Sequence, residues 1–307
     1  MSRIKPERLH LGDTVGIIAP ASPPDLKGLE KGIQFLKNLG LNVKIGKSVK
    51  QVYGYLAGTD KERLDDLHEM FLDQEVKAVF CARGGYGTGR IASEIDYQII
   101  KNNPKIFWGY SDITFLHTSI RQETGLVTFH GPMLASDIGQ DDVNQLSMDG
   151  YLQLFEPKGL DYTEELSPLE VIVKGQASGE LVGGNLALIV STLGTRFELD
   201  TKGKLLFLED VHEEPRSVDR MLNQLLMAGK LTEACGILVG DFSDAGSKRE
   251  NTLSLEEVIR YYVQRAGKPA VKGFQMGHCN PNITIPLGVE AALDTYEKRL
   301  FVESGIL

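Results

Sequence analysis

Ser111 stands where an apolar stretch meets a helical pattern, in the segment FWGYSDIT at residues 107–114. A serine at such a junction can cap the helix, because its hydroxyl accepts a hydrogen bond from a backbone N–H of the first turn. It can also be the nucleophile of a sharp strand-to-helix turn, where the next backbone N–H helps to form an oxyanion hole. The nucleophile pattern is partial, because Ile113 stands where a second glycine is usual. The residues alone leave both interpretations open.

A glycine-rich loop, RGGYGTGR at residues 83–90, follows the apolar stretch VKAVFCA. Consecutive glycines let backbone N–H groups face a ligand, so Gly84 or Gly85 is a candidate second donor to an oxyanion at Ser111. A rival interpretation is dinucleotide binding, since residues 87–92 fit the form G-x-G-x-x-A. That match begins too far beyond the strand and follows an interior strand, which disfavours it. The third interpretation is a tight turn without a ligand.

A serine nucleophile needs a base, and the sequence contains six histidines. Four of them lie in charged, terminal or helical contexts that favour solvation or packing: His10, His68, His117 and His212. His130 lies at a predicted strand end in TFHGP, where a histidine is usually structural. His278 lies in MGHCNPN, a turn that would expose its side chain, and loops of this kind often carry function. His130 and His278 are therefore the candidate bases.

The base needs a carboxylate to orient it. Glu209 and Asp210 end the apolar stretch LLFLED, and Asp241 lies near the end of the stretch LVGDF. For one of the first two, solvation or capping of the next helix is the ordinary role. The sequence gives no reason to prefer one of the three acids.

The three cysteines, Cys81, Cys235 and Cys279, are an odd number without metal-ligand spacing. Cys81 lies in an apolar strand and is expected in the core. Cys279 adjoins His278, but neighbours on a turn usually diverge, so we do not expect it to be a nucleophile. The pattern predicts reduced thiols in the cytoplasm, with no disulfide and no structural zinc.

The composition excludes several classes of partner. The net charge of −9 argues against nucleic acid and anionic membrane, since both reward a basic surface. No apolar run approaches the roughly 18 residues that a membrane span needs, and the N-terminal MSRIKPERLHLGD has no apolar signal core. A chain of 307 residues is long enough for two domains of ordinary size.

Strands alternate with helices from residue 14 to residue 132, which predicts an α/β fold with a doubly wound parallel sheet. Ligands collect at the carboxyl ends of the strands in such sheets, and both Ser111 and the glycine-rich loop would lie there. We predict an N-terminal nucleophile domain over residues 1–135, a polar linker over 136–170 and a C-terminal domain over 171–307. In the last, GELVGGNLALIVSTLGT predicts a glycine turn feeding a buried helix, and VEAALDTYEKRLFVES predicts a closing hairpin.

Segments spread over nearly the whole chain resemble the L,D-carboxypeptidases that act on murein tetrapeptides, together with the related microcin-immunity serine peptidases. They are IIAPAS (17–22), ARGGYG (82–87), FWGYSDIT (107–114), FHGPM (129–133), LVGGNLALIVSTLGT (181–195), LFLEDVHEEPRSVDRMLNQL (206–225) and GHCNPNITIPLG (277–288). The resemblance implies a Rossmann-like N-terminal domain with a parallel sheet, plus a smaller β-rich α/β C-terminal domain. It also implies a homodimer, with the active site between the domains.

The same resemblance implies a catalytic triad, which falls on Ser111, Glu209 and His278. The oxyanion hole would come from the backbone of Asp112 and of one glycine of the 84–85 pair, and Asp112 would also cap the following helix. In this mechanism His278 takes the serine proton, Glu209 orients the imidazole, and water releases the acyl-enzyme. No metal or cofactor is required.

The activity that the resemblance implies is removal of the terminal D-alanine from a murein tetrapeptide, at the L-centre of a diamino acid. Such an enzyme must neutralise the free carboxylate of its substrate, for which Arg83 and Arg216 are candidates. Arg216 departs from the family pattern, because an aromatic residue is expected after Pro215. Two alternatives stay open. One is an immunity-type amidase that cleaves peptidyl or aminoacyl nucleotides with the same triad, and the other is a non-enzymatic Rossmann-like binder of a small molecule.

Overall fold

The computed structural model describes residues 3–247 and 250–307. The chain divides into two compact units, and each unit is built from more than one stretch of sequence. The first unit comprises Met1–Lys158, Asn280–Gly288 and Ser304–Leu307, and the second comprises Gly159–Cys279 and Val289–Glu303. Each unit contains one β-sheet.

Strands and helices are numbered here in chain order. Within the described residues the strands are β1 (Thr14–Ile18), β2 (Asn42–Ile45), β3 (Val76–Cys81), β4 (Ile106–Gly109), β5 (Thr128–His130), β6 (Leu160–Tyr162), β7 (Glu170–Val173), β8 (Gln176–Asn185), β9 (Leu205–Val211), β10 (Gly236–Ser243), β11 (Ala270–Lys272), β12 (Ile285–Leu287), β13 (Glu290–Asp294) and β14 (Arg299–Val302). The α-helices are α1 (Leu26–Asn38), α2 (Asp60–Leu72), α3 (Thr88–Ile91), α4 (Tyr97–Asn102), α5 (Thr114–Thr124), α6 (Gln145–Asp149), α7 (Leu186–Thr192), α8 (Pro215–Met227), α9 (Lys230–Glu233) and α10 (Leu255–Ala266). Short 3-10 turns cover Lys47–Lys50, Ala92–Glu94, Ser111–Ile113 and Gly150–Leu154, and a π-helical turn covers Leu134–Ile138.

The first unit has the doubly wound sheet that the strand–helix alternation predicts. Its six strands lie in the order β12-β5-β4-β3-β1-β2. The strands β1 to β5 pair in parallel, and β12 runs antiparallel to β5 at one edge. The strands β1, β3, β4 and β5 are almost wholly buried, as is usual for parallel strands covered on both faces. The carboxyl end of β4 delivers the chain to Ser111.

The first two helices begin at caps that the sequence supplies. Asp25 accepts a hydrogen bond from the Gly28 N–H at the start of α1. Thr59 and Glu62 form a reciprocal capping box at the start of α2. Thr59, and not the neighbouring Asp60, is therefore the cap of α2.

Residues 136–170, the predicted linker, contain α6, a 3-10 turn, β6 and most of the π-helical turn. The π-helical turn packs against α1, where two glycines leave room for it. A Cβ on Gly28 would lie 2.6 Å from the Ala135 carbonyl oxygen, and one on Gly32 would lie 2.5 Å from the Leu134 carbonyl oxygen. The two glycines therefore let the backbone of the π-helical turn pack closely against α1.

The second unit is built on a mixed sheet of eight strands in the order β6-β14-β13-β8-β9-β10-β11-β7. The four central strands, β8 to β11, pair in parallel. The remaining strands pair antiparallel, and β13 with β14 forms the closing hairpin that the sequence predicts. This unit is smaller than the first and richer in strands. The predicted fold class, α/β with a Rossmann-like first part and a smaller β-rich second part, is confirmed.

The predicted glycine turn before α7 is wrong, because the chain there is the second half of β8. Its glycines serve close approach between strands. Gly183 has a φ of 132°, and a Cβ on it would lie 1.9 Å from the Phe207 carbonyl oxygen of the neighbouring β9. A strand interior with no room for a side chain requires glycine, and such glycines resemble those of a turn when only the sequence is considered.

In the part of the chain that the structure describes, no helix combines the length and the apolar character needed to cross a bilayer.

Candidate active site

Ser111 lies in the left-handed region of backbone conformation, with a φ of 64°. A residue with a side chain costs about 1–2 kcal/mol there, so the surrounding structure must hold it in place. The strand β4 gives way at once to the 3-10 turn Ser111–Ile113 and then to α5. Ser111 is half-buried, whereas the residues that follow it are buried. This is the strand-to-helix geometry of a nucleophile elbow.

Asp112 does not cap α5, so this prediction is wrong. The N-cap position is occupied by Ile113, and no side-chain hydrogen bond caps that end of the helix. The Asp112 carboxylate instead accepts a hydrogen bond of 2.9 Å from the Thr88 N–H, and the Thr88 hydroxyl donates to the Asp112 carbonyl oxygen at 2.6 Å. Burial raises the pKa of Asp112, and the bonds from Thr88 oppose that rise. Asp112 thus ties the serine turn to the end of the glycine-rich loop.

Gly84 lies directly against the serine. A Cβ on Gly84 would lie 2.8 Å from Ser111 Cβ, 3.0 Å from Ser111 Oγ and 3.3 Å from the Asp112 nitrogen. The structure therefore brings the backbones of two predicted oxyanion residues, Gly84 and Asp112, next to the serine hydroxyl. Gly85 has a φ of 107°, and a Cβ on it would lie 2.3 Å from Ser22 Oγ. Glycine is required at both positions.

Ser22 fixes this loop, a role that the sequence did not reveal. Its N–H donates to the Gly84 carbonyl oxygen at 3.2 Å, and its Oγ accepts from the Tyr86 N–H at 3.2 Å. The serine belongs to the segment IIAPAS, which follows β1 and therefore reaches the same edge of the sheet. In the sequence, the position of Ser22 shortly after a buried strand was the feature that could have indicated this role.

Arg63 is a second supporting residue that sequence reasoning missed. Its side chain is fully buried, and the guanidinium donates to the carbonyl oxygens of Pro20 and Gly87. It also forms an ion pair of 2.5 Å with Asp60. A signal for its burial exists, because Arg63 lies four residues before Leu67 on the buried face of α2. The arginine links the loop after β1 to the glycine-rich loop.

The space beside Gly87 is filled by protein. Its φ is 126°, and a Cβ on it would lie 2.6 Å from Leu56 and 2.8 Å from Arg63. The helix that follows, α3, has four residues. Gly87, the first glycine of the G-x-G-x-x-A match, therefore serves packing, which favours the oxyanion interpretation of the loop over dinucleotide binding.

In the second unit, His278 Nδ1 and Glu209 Oε2 are 2.7 Å apart. The Glu209 side chain is completely buried near the end of β9, and the His278 side chain is 16% exposed. Because an ionised carboxylate only accepts, the Nδ1–H donates to it, and Nε2 is then the nitrogen that can take a proton. Gly277 makes the contact feasible, since its φ is 109° and a Cβ on it would lie 2.4 Å from Glu209 Oε2.

Asp210 points to the opposite face of the sheet from Glu209, as alternation along a strand requires. Its carboxylate accepts hydrogen bonds from Asn185 Nδ2 at 2.8 Å and from the Ala187 N–H at 3.0 Å. Burial raises its pKa to about 6. Asp210 therefore supports the start of α7 and is not the partner of His278.

Asp241, the third candidate acid, lies near the end of β10 and accepts a hydrogen bond from the Ser243 hydroxyl. Burial raises its pKa, and the nearby charge of His278 opposes that rise. Of the three candidate acids, Glu209 is the one recorded in a hydrogen bond with the His278 ring. Asp241 is a second carboxylate on the neighbouring strand.

His117 and His130 belong to the core of the first unit. His130 is fully buried at the end of β5, and its ring packs edge-on against Tyr110 with centroids 5.6 Å apart. His117 is also buried, and burial lowers its pKa to about 4. Its Nε2 lies 2.8 Å from the Gly109 carbonyl oxygen, to which it donates when neutral. The predicted packing role of His117 is confirmed, and the burial of His130 favours the same role.

The two candidate arginines differ in their surroundings. Arg83 is half-buried next to Gly84, its Nη1 donates to the Pro23 carbonyl oxygen at 3.3 Å, and its Nε is buried without a hydrogen-bond partner. Within residues 3–247 and 250–307, no carboxylate forms an ion pair with it. Arg216 is exposed as the second residue of α8. A half-buried guanidinium without a counter-charge is the stronger candidate to meet a substrate carboxylate.

No group of three His, Cys, Asp or Glu side chains among the described residues is arranged to hold a metal ion. The three cysteines, all of which lie in the described ranges, form no disulfide. Cys81 is buried in β3, and burial raises the pKa of its thiol well above the ordinary value. This is the core position that the sequence predicts.

Family models match both parts of the chain. The LD-carboxypeptidase N-terminal domain matches residues 15–131, which include the serine turn and the glycine-rich loop. The LD-carboxypeptidase C-terminal domain matches residues 178–293, which include Glu209 and His278.

Individual proteins match along nearly their whole length. The probable murein peptide carboxypeptidase of Bacillus subtilis (strain 168) is 62% identical, over 98% of this chain and 95% of the relative. The Microcin C7 self-immunity protein MccF of Escherichia coli is 27% identical, over 97% of this chain and 95% of the relative. The crystal structure of muramoyltetrapeptide carboxypeptidase from Oxalobacter formigenes aligns with a TM-score of 0.83 at 29% identity, covering 94% of this chain and 97% of that one.

The contact between Gly84 and the serine predicts the effect of a single methyl group. In Gly84→Ala the new Cβ would lie 3.0 Å from Ser111 Oγ, so the hydroxyl must move. Since a displacement of about 1 Å in a reacting group costs roughly 100-fold, we expect peptidase turnover to fall by about that factor while the protein stays folded. Steady-state kinetics and a thermal melt measure both. Gly246→Ala is the matched control, because a Cβ at Gly246 meets nothing within 4 Å. Full activity in Gly84→Ala would show that this contact does not position the serine.

Proposed function

The chain belongs to the LD-carboxypeptidase family and is a carboxypeptidase-type hydrolase; on that premise we propose that it removes the terminal D-alanine from murein tetrapeptides with a Ser-Glu-His triad. The bond cleaved joins the L-centre of a diamino acid to the D-alanine. The similarity to proteins named for murein peptides and muramoyltetrapeptide supports this substrate. The observation that carries the serine chemistry is the left-handed backbone of Ser111, at a φ of 64°.

The proposed acylation step begins with proton transfer from the Ser111 hydroxyl to Nε2 of His278. The serine oxygen bonds to the carbonyl carbon of the scissile bond, and the oxyanion accepts hydrogen bonds from the backbone of Asp112 and of Gly84 or Gly85. The imidazolium then gives its proton to the leaving nitrogen, the C–N bond breaks, and D-alanine departs. The buried Glu209 carboxylate, 2.7 Å from Nδ1, orients the ring and stabilises its cation throughout.

The proposed deacylation step uses the same groups in the reverse order. His278 takes a proton from water, and the hydroxide formed adds to the acyl carbon while the oxyanion donors act again. Collapse of this second tetrahedral intermediate breaks the bond to Ser111, whose oxygen recovers the proton from His278. The products are the tripeptide and D-alanine, and the enzyme returns to its starting state.

We assign the free carboxylate of the substrate to Arg83. Two features support this choice over Arg216: the neighbouring Gly84 lies against the serine, and the half-burial of Arg83 strengthens a charge-assisted hydrogen bond, whereas Arg216 is exposed. A carboxypeptidase differs from an endopeptidase in that it recognises the C-terminal carboxylate of its substrate. Arg83 would therefore be a specificity residue rather than part of the bond-breaking machinery.

The immunity-type activity on peptidyl or aminoacyl nucleotides is the alternative with the same triad. It draws support from the similarity to the self-immunity protein, but at 27% identity that similarity is far weaker than the 62% shared with the murein peptide relative. Mass spectrometry of digests of a murein tetrapeptide and of an aminoacyl sulfamoyl adenylate separates the two activities. We expect tripeptide and D-alanine from the first compound and slower or no cleavage of the second.

A cytoplasmic location, predicted from the cysteines, and a homodimer, implied by the resemblance, are further parts of the proposal. Three cysteines outside any disulfide fit a reducing compartment. Light scattering at several protein concentrations determines the assembly state, and a monomer at all of them would remove the homodimer from the proposal.

The first prediction from this function concerns the nucleophile. Ser111→Ala should fold normally and lose about 1,000-fold or more in turnover of murein tetrapeptide, since the attacking oxygen is gone. Ser93→Ala is a control, because Ser93 is an exposed serine of the same unit. Retained tripeptide release by a folded Ser111→Ala variant would exclude serine catalysis at this position.

A second prediction concerns the base and its acid. His278→Ala and Glu209→Gln should each lower turnover by at least about 100-fold, with the glutamate change the milder because it keeps the side-chain shape. His130→Ala should act mainly on the melting temperature, since His130 is fully buried. An inactive but folded His130→Ala beside a near wild-type His278→Ala would reverse the assignment of the base.

A third prediction concerns Arg83. Arg83→Ala should raise the KM for murein tetrapeptide by about 10-fold to 100-fold, the worth of a charge-assisted hydrogen bond, with a smaller change in kcat. Arg216→Ala should leave the KM within about twofold, because exposed charges contribute little. The same measurements on a tetrapeptide with an amidated C-terminus, which lacks the free carboxylate, show whether the loss in Arg83→Ala depends on that carboxylate. An equal Arg83→Ala penalty on the amidated substrate would show that Arg83 does not read the carboxylate.

A further inference from the structure

The strand β10 holds the segment that carries His278. The Asp241 N–H donates to the Met276 carbonyl oxygen at 3.2 Å. One residue earlier, Gly240 lets β10 and the segment around Met276 approach each other, since a Cβ on Gly240 would lie 2.7 Å from the same carbonyl oxygen. The backbone on the N-terminal side of His278 is therefore anchored to the end of a central strand of the second unit.

The Ser243 hydroxyl provides a second anchor, directly at the histidine. It lies 2.5 Å from the His278 carbonyl oxygen and also contacts the Asp241 carboxylate, so its single hydrogen is shared between these two acceptors. Asp241 and Ser243 are two residues apart on β10, so their side chains share one face of the strand. Both side chains are half-buried, where hydrogen bonds to a charged group are stronger than in water. Asp241, Ser243 and the main chain of His278 form a connected set.

Two carboxylates from neighbouring strands act on His278. Glu209 on β9 makes the hydrogen bond to Nδ1. Asp241 on β10 contacts the Ser243 hydroxyl that also binds the His278 carbonyl oxygen, which places its charge near that of the histidine. The other charged group that acts on Asp241 is Asp244, just beyond β10, and Asp244 is itself 3.6 Å from His212. Glu209 thus fixes the ring, while Asp241 adds negative charge and fixes the backbone.

We propose that Ser243 and Asp241 are positioning residues for His278: the hydroxyl clamps the main chain that carries the base, and the carboxylate stabilises the imidazolium formed during catalysis. This inference rests on the proposed role of His278 as the base. Neither residue touches the reacting atoms, and both act through the histidine. The set explains why LVGDF contains an acid although Glu209 already orients the ring.

The test for Ser243 separates positioning from folding. Ser243→Ala should lower kcat for murein tetrapeptide by about 10-fold with little change in KM, since a loosely held base reduces turnover and not substrate binding. Ser243→Thr, which keeps the hydroxyl, should restore most of that loss. An alanine variant with wild-type kcat, or a threonine variant as slow as the alanine variant, would overturn the role of the hydroxyl.

The test for Asp241 uses charge. In the ionised form Asp241 favours the protonated ring, so Asp241→Asn should lower the pKa of His278 and move the acidic limb of the kcat/KM profile down by about half a unit to one unit. Asp244→Asn is the matched control, because it removes the same charge from an exposed position on the same segment and should leave the limb in place. Equal shifts in both variants, or none in Asp241→Asn, would overturn the proposal.

A readout without turnover distinguishes this inference from the proposed function. The His278 ring can be titrated by NMR in the Ser111→Ala background, with its signal assigned by its loss in His278→Ala. A lower His278 pKa in Asp241→Asn supports the positioning role even if the substrate class is wrong. An unchanged His278 pKa in Asp241→Asn, with an intact melting transition and a wild-type enzyme that cleaves murein tetrapeptide, overturns the inference and leaves the proposed function standing.

Discussion

The left-handed backbone at Ser111 is the constraint on which the first unit's site depends. A φ of 64° on a residue with a side chain costs about 1–2 kcal/mol, and neighbouring contacts must offset it. Gly84 supplies space where any side chain would meet the serine, and Asp112 binds the turn to Thr88. The buried Arg63 then joins the glycine-rich loop to the loop after β1. Strain at one residue is thus distributed over three loops that meet at the carboxyl ends of parallel strands.

The site in the second unit depends on a different constraint, which is the stabilisation of a buried carboxylate. Glu209 is fully removed from water, and its Oε1 has no hydrogen-bond partner among the described residues. A buried carboxylate without compensation is costly, so the hydrogen bond from His278 matters to the folded state as well as to catalysis. Gly277 allows this contact, and β10 holds the main chain around it through Asp241 and Ser243. His278 is therefore held by a hydrogen bond to its ring and by another to its main chain.

Much of this could be predicted from sequence, for physical reasons that also explain the failures. Alternating apolar strands and helices fix a parallel sheet, and a parallel sheet places Ser111 and the glycine-rich loop at one edge. The pairing of Glu209 with His278 came from the family resemblance, because the residues alone left three acids open across a separation of 69 positions. The burial of Arg63 was missed because a charge inside a helix usually faces water. The glycines of β8 looked like a turn because close strand approach and turns select the same residue.

The central claim is that Ser111 is a nucleophile activated by His278. Labelling with a fluorophosphonate probe, followed by mass spectrometry of the digested protein, tests it most directly. The account predicts one label per chain, located on Ser111, with a labelling rate that falls by about 100-fold or more in a folded His278→Ala variant. A label on another serine, or a rate on Ser111 that is unchanged in His278→Ala, would contradict it.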